Sequence, residues 1–284
     1  MNIRLILFFL IPMASFIINF AFAAVPSQAT IFGVSMRWES PSDETMTQLE
    51  AKIRQKHDAY TRSWDPDCIW RKKKNNLCEA APLPETLAIE KLAVEMREET
   101  EGYFDADKVE KNKPRRRDFS GLSQGLFIDE LKKELPGKWV VDFAGDIYFS
   151  GGFTPSRPFT IADPLNEYAT FAKVQWKSGW MVSSSSRRLG QNVWNPKAIS
   201  GNWSEDFQRV VLFAHPEFNG YRLDAWSTAL IPGGAKLLKK LWADPKYRGK
   251  WAYLYFDKDG AAHCSENLEC DFKNASNRII KVRD

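Results

Sequence analysis

The 284-residue chain has little of what thiol and zinc chemistry draws on: three histidines (His57, His215, His263) and four cysteines (Cys68, Cys78, Cys264, Cys270). The cysteines stand in no CxxC or mixed Cys/His spacing, which argues against a zinc site and against a Cys–His nucleophile. An excess of one charge is lacking too. Forty Lys and Arg against 36 Asp and Glu leave +4, too little to call for nucleic acid as a partner. The basic runs Arg71 to Lys74 and Arg115 to Arg117 therefore read as solvated faces. There is no internal repeat, and the one low-complexity tract is Ser183 to Ser186. Collagen, coiled coil and multi-span membrane protein are all excluded by these proportions.

What is present, 44% apolar and 27% charged residues, describes a folded chain with an ordinary core, whose length suits one large domain or two modest ones. The first 23 residues carry one charge, Arg4, then an apolar run from Leu5 to Phe22 ending in Ala21-Phe22-Ala23. This reads as an export signal cut after residue 23, leaving 24–284 as a soluble periplasmic or secreted protein. The run is also long enough for an uncleaved anchor, but Pro12 and the small-residue end favour cleavage. In an exported chain four cysteines suit two disulfides, most simply Cys68–Cys78 and Cys264–Cys270, with the other two connectivities open.

Periodicity predicts strands at Ile31 to Trp38, within Lys138 to Tyr148, at Phe159 to Ile161, Thr170 to Trp176, Trp180 to Ser183 and Arg209 to Ala214, and a terminal hairpin from Trp251. Helices are expected at Asp43 to Tyr60, Pro84 to Thr100, Leu126 to Leu135 and Asp224 to Trp242, the last broken near Pro232-Gly233-Gly234. Helices and strands interleave irregularly.

Several residue groups have chemistry to offer. Gly121 and Gly125, where a loop runs into a helix, suit either an anion seat built from helix N–H groups or a close-packed junction. Asp224 and Thr228, four apart on one helix face, offer hard oxygen ligands to magnesium, or else a cap and a back-bonded hydroxyl. Asp146 after Gly145 can bind a ligand hydroxyl or close an Asx turn. Ser184 and Ser185 can reach phosphate or sit in a plain loop. The 11 tryptophans can stack on planar ligands or fill the core.

In order along the chain these pieces resemble the FAD:protein FMN transferase (ApbE-type) family from about Ile31 to Trp242. Trp64-Asp65-Pro66-Asp67 is similar to its aromatic-Asp-Pro-Asp segment, and Thr100 to Asp105 to T-x-G-x-F-D. Asp118-Phe119-Ser120-Gly121-Leu122-Ser123-Gln124-Gly125 is similar to D-x-S-G-I-A-K-G, Val141 to Ile147 to V-N-x-G-G-D-I, and Leu223 to Leu230 to A-D-A-L-A-T-A-L. The resemblance implies an α+β, T-fold-like single large domain of two lobes, with mixed sheets packed by helices. It also implies that FAD is cleaved with magnesium, FMN passes through a phosphoester to a Ser or Thr hydroxyl of an exported or membrane-bound acceptor protein, and AMP leaves. On the matching positions Asp224, Thr228 and the Ser123 carbonyl would hold the metal. Trp64, Asp118, Gly121, Ser123, Gln124, Gly125, Gly145, Asp146, Ser184 and Ser185 would face FAD. Two positions depart: Gln124 replaces a Lys, and Asn192 replaces a His that would act as base. Those departures imply an alternative, a noncatalytic FAD-binding or partner-docking protein; FAD hydrolysis is another. An interaction module presenting exposed tryptophans to glycans is a third.

Overall fold

The computed structural model describes residues 27–31, 34–63, 84–108, 116–151, 159–164, 169–175, 178–186, 196–197, 207–269 and 279–282. Trp64, Asn192, the export segment and Cys68, Cys78 and Cys270 lie outside them. Eight strands form one antiparallel sheet in the order β1 (Ser27–Ile31), β2 (Val34–Glu39), β5 (Val140–Phe143), β6 (Asp146–Phe149), β9 (Gly179–Ser185), β10 (Phe207–Ala214), β11 (Trp251–Asp257) and β12 (Ala262–Cys264). Four more, β13 (Leu268–Glu269), β14 (Ile279–Val282), β8 (Thr170–Gln175) and β7 (Phe159–Ala162), make a smaller sheet mixed by the parallel β14–β8 pair. A short antiparallel pair joins β3 (Asp107–Lys108) to β4 (Arg116–Arg117).

One face of the large sheet carries the helices α1 (Asp43–Ser63), α2 (Pro84–Glu99), α3 (Ser120–Glu134) and α4 (Gly220–Ala243). The other face packs on the small sheet through Val140, Ile147, Met181, Val211, Phe213 and Leu254 against Ile161, Ala172 and Leu268. The architecture is thus α+β, a single domain with two cores on opposite faces of one sheet. Strand β10 explains why its sequence is apolar throughout rather than alternating: Val210 and Leu212 face the helices while Val211 and Phe213 face the small sheet, so both sides of the pleat are buried.

Three elements differ from the periodicity. The strand read at Ile31 to Trp38 is two, β1 and β2, paired antiparallel with Ile31 opposite Val34. Helix α3 starts at Ser120, so the glycine segment is its first turn rather than a loop before it. Helix α4 starts at Gly220 rather than Asp224, while the break expected near Pro232-Gly233-Gly234 is there, a kink at Gly234 (φ 55°, ψ −152°), a conformation only glycine takes without strain.

The start of α4 is held by a residue of α3. Asp129, 5% exposed, accepts the Tyr221 N–H (3.1 Å) and the Gly220 N–H. Lys132 pairs with Asp129 (3.2 Å) and donates to the Pro216 and Phe218 carbonyls (2.9 and 2.8 Å). Asn219, the residue at the cap position, makes no capping bond of its own. Burial raises the Asp129 pKa, an effect that Lys132 and the two N–H groups oppose. Asp129→Ala leaves buried donors and a cation unpaired, and should cost about 2 kcal/mol. Urea unfolding should show the loss, with Asp129→Asn recovering part of it; an unchanged midpoint in Asp129→Ala would contradict this role.

The described tryptophans are core residues. Trp139, Trp180, Trp226 and Trp251 are fully buried, Trp38 is 2% exposed, and Trp242 is partly buried against them. Trp251 meets Trp226 in a tilted contact and Trp242 edge-on, with ring centroids 5.2 Å apart in each pair. Among the described tryptophans only Trp242 is more than slightly exposed, so they form no exposed tryptophan surface of the kind a glycan would stack on. Cys264, the one described cysteine, is not a free thiol.

Candidate functional site

Helices α3 and α4 cross on the sheet, and the motifs they carry meet there. At the entry to α3, the Asp118 N–H donates to the Ala106 carbonyl (2.6 Å) and Asp118 Oδ1 accepts the Ser120 N–H (2.9 Å). That Asx turn sets the chain for the helix. Gly121 departs from helical angles (φ −83°, ψ 24°). The Leu122 and Ser123 N–H groups both bond the Phe119 carbonyl at 3.0 Å.

The next two donors reach a side chain of α4. Asp224, 3% exposed on α4, accepts the Gly125 N–H (3.3 Å) and the Gln124 N–H. It therefore does not cap its own helix but holds the first turns of α3. Four successive N–H groups, 122 to 125, are engaged by protein acceptors, so the stretch expected to seat an anion is largely spent on α3–α4 docking. Both glycines serve that approach. A Cβ at Gly125 would lie 2.2 Å from the Gly220 carbonyl oxygen, and one at Gly121 would lie 2.7 Å from Thr228 Oγ1.

Across from Asp224 the sheet contributes Asp146. The chain turns between β5 and β6 through Ala144 (φ 55°) and Gly145 (φ 107°), with the Gly145 N–H bonded to Asp142 Oδ1 (3.0 Å). Asp146 is thus the first residue of β6 rather than the end of a strand. It is 3% exposed, accepts the Ser183 N–H and shares a side-chain hydrogen bond with Asp224. Its Oδ2 accepts no N–H or hydroxyl among the described residues. Burial is the main cause that pushes the Asp224 carboxyl up to about 7. Burial first, then the charge of Asp224, raises Asp146 well above the ordinary carboxylate range.

Hydroxyls complete the ring. Ser184 Oγ lies 2.7 Å from Ser227 Oγ and 3.4 Å from Thr228 Oγ1, and Ser227 Oγ donates to the Asp224 carbonyl (3.0 Å). Ser184 sits opposite Val210, which faces the helices, whereas Ser185 sits opposite Arg209, next in sequence and turned the other way. The hydroxyl of Ser185 bonds the Gln208 carbonyl (3.3 Å). Alternation along β9 thus brings Ser184 to Thr228 and takes Ser185 away.

Of the residues singled out from the sequence, Gly121, Gln124, Gly125, Asp146, Ser184, Asp224 and Thr228 converge. Asp118 and Ser123 border them on α3, and Gly145 borders them at the β5–β6 turn. Ser227 was missed; its position between Trp226 and Thr228 marks it as buried helix and nothing more. Among the described residues no three of His, Cys, Asp and Glu gather as a metal site. The available donors are two carboxyls and neighbouring hydroxyls. Such an all-oxygen set suits a hard divalent cation that draws its other ligands from water or phosphate, and the buried Asp146 Oδ2 accepts no N–H or hydroxyl among the described residues. No helix of the described residues is long and apolar enough to cross a membrane.

Solved structures share this fold. The ApbE protein of Thermotoga maritima matches 86% of this chain and 97% of its own at 15% identity, TM-score 0.61. The flavin transferase ApbE of Vibrio cholerae matches 85% and 97% at 14% identity, TM-score 0.57. The flavinyl transferase ApbE of Pseudomonas stutzeri matches 86% and 94% at 14% identity, TM-score 0.55. No family model and no curated protein matches the sequence. At these identities the likeness establishes the fold.

Proposed function

We propose that the protein is an exported, magnesium-dependent FAD:protein FMN transferase of the ApbE type. It would move FMN from FAD onto a Ser or Thr hydroxyl of an exported or membrane-bound acceptor protein and release AMP. The observation that carries this reading is the bond from the Gly125 N–H to the Asp224 carboxylate. It joins two segments 99 residues apart, each of which resembles a separate part of the transferase signature. The shared fold supports the reading independently.

In this proposal Asp224, Thr228 and the Ser123 carbonyl hold magnesium. The bound cation would neutralise phosphate oxygens as charge builds on them. Thr228 is oriented by Ser184, and the missing Cβ of Gly121 leaves the Thr228 hydroxyl unobstructed. The diphosphate would lie at the Gly121 end of α3, beside the Asp118 turn, because Gly125 is sealed against Gly220. Trp64 would flank the flavin, and Asn192 would stand where the base is expected. Export after residue 23, a periplasmic or secreted location and the Cys68–Cys78 and Cys264–Cys270 pairs belong to the same proposal.

A second reading, a noncatalytic flavin-binding protein, is favoured by Gln124 and Asn192: a neutral amide supplies neither the cation nor the base. One experiment separates the two. Mature protein is mixed with FAD, magnesium and a candidate acceptor, and AMP and a fluorescent acceptor band are followed with and without EDTA. Both products should form and vanish with EDTA. AMP without a band would identify a pyrophosphatase, and FAD bound without products the noncatalytic form. Failure to bind FAD would reject both flavin readings. Asn192→His is expected to raise turnover about 100-fold, the usual scale of general-base catalysis.

A further inference from the structure

We infer that Asp146 is a further oxygen ligand of the divalent cation, completing with Asp224 and Thr228 a site that spans sheet and helix. This rests on the metal assignment in the proposed function and adds a residue to it.

The geometry sets Asp146 apart from an acid that merely ends a turn. The neighbouring acid, Asp142, takes that structural part: it pairs with Arg37 (2.5 Å) and accepts the Gly145 N–H. Asp146 instead points to the helix side, as does Tyr148 two residues on, and its side chain meets Asp224. Besides the Ser183 N–H and the Asp224 carboxyl its side chain has no polar neighbour among the described residues, and the buried Oδ2 accepts no N–H or hydroxyl there. The polar groups that reach the Asp224 carboxyl among the described residues are that of Asp146 and the Gln124 and Gly125 N–H groups. A buried carboxylate oxygen without a partner is costly, and acids are buried in such pairs where a metal joins them. Ser184, Ser227 and Thr228 add hydroxyl oxygens on the same side. Two acidic ligands from different elements also favour a divalent over a monovalent ion.

A role toward a ligand hydroxyl predicts something different, because the loss would then appear in FAD binding with no metal present. The test titrates Mn2+ into the mature protein without FAD, following the loss of the free-ion EPR signal. Asp224→Asn should abolish binding, and Asp146→Asn should weaken it at least tenfold. FAD binding measured in EDTA should stay within twofold for Asp146→Asn. Asp142→Asn should leave Mn2+ affinity unchanged. Near-UV circular dichroism reports the fold, and Asp146→Ser replaces Asp146→Asn if the latter does not fold. Wild-type Mn2+ affinity retained in Asp146→Asn overturns this inference alone, as does a weakened FAD affinity in EDTA with Mn2+ binding intact. No Mn2+ binding by the wild type overturns the metal assignment of the proposed function as well.

Discussion

Asp224→Ala should reduce FAD-dependent AMP release by about 10^3-fold or more. On the proposed metal assignment, losing the Asp224 carboxylate would remove several kcal/mol of charge stabilisation, and each 1.36 kcal/mol is a factor of ten, so about 4 kcal/mol gives the stated loss. The same side chain also docks α3 by accepting the Gln124 and Gly125 N–H groups. Alanine would leave those donors buried and unpaired, at about 1–3 kcal/mol for the pair of them together. Asp224→Asn keeps an acceptor oxygen but not the charge. It should therefore recover stability in urea unfolding while AMP release, measured by chromatography, stays as low as in the alanine variant. Equal activity in wild type and both variants would remove Asp224 from the chemistry.

Gly125→Ala should be the most destabilising single-methyl change in the helical layer, costing about 3 kcal/mol and lowering the melting temperature by roughly 6–12 °C. The new Cβ would fall 2.2 Å from the Gly220 oxygen, 2.3 Å from its carbonyl carbon and 2.6 Å from the Tyr221 nitrogen. All three are backbone atoms at the start of α4, so no side chain can turn aside. The helices must part, which would also stretch the Asp129 bond to Tyr221 and the Gly125 bond to Asp224. A melting temperature within 2 °C of wild type would show that the two helices are not locked at this point.

Much of this was legible from spacing. The 3–4 pattern of Leu49 and Ile53, and of Ile89, Ala93 and Met96, marks faces of α1 and α2 that are buried, and the apolar run of β10 marks a strand covered on both sides. The hairpin of β1 and β2 was not legible as two strands, because Ser27 to Ile31 carries few large apolar residues and its alternation is weak. The anion-seat reading of Gly121 and Gly125 followed from a loop-to-helix pattern. What it could not include is the acceptor: the N–H groups turn to a carboxylate 99 residues on.

Local rules therefore reach as far as their range allows. Residue order and periodicity suffice to place Asp224 and Thr228 on one helix face and glycines at a helix start, while the strand read as ending at Ser183 runs on to Ser185 and sets Ser184 and Ser185 on alternate sides. Which side of the strand meets Thr228, why Gly125 has no side chain, and that Asp146 lies against Asp224 depend on α3 crossing α4 over the sheet. Those contacts join segments tens of residues apart, and no short-range pattern carries the identity of a distant partner.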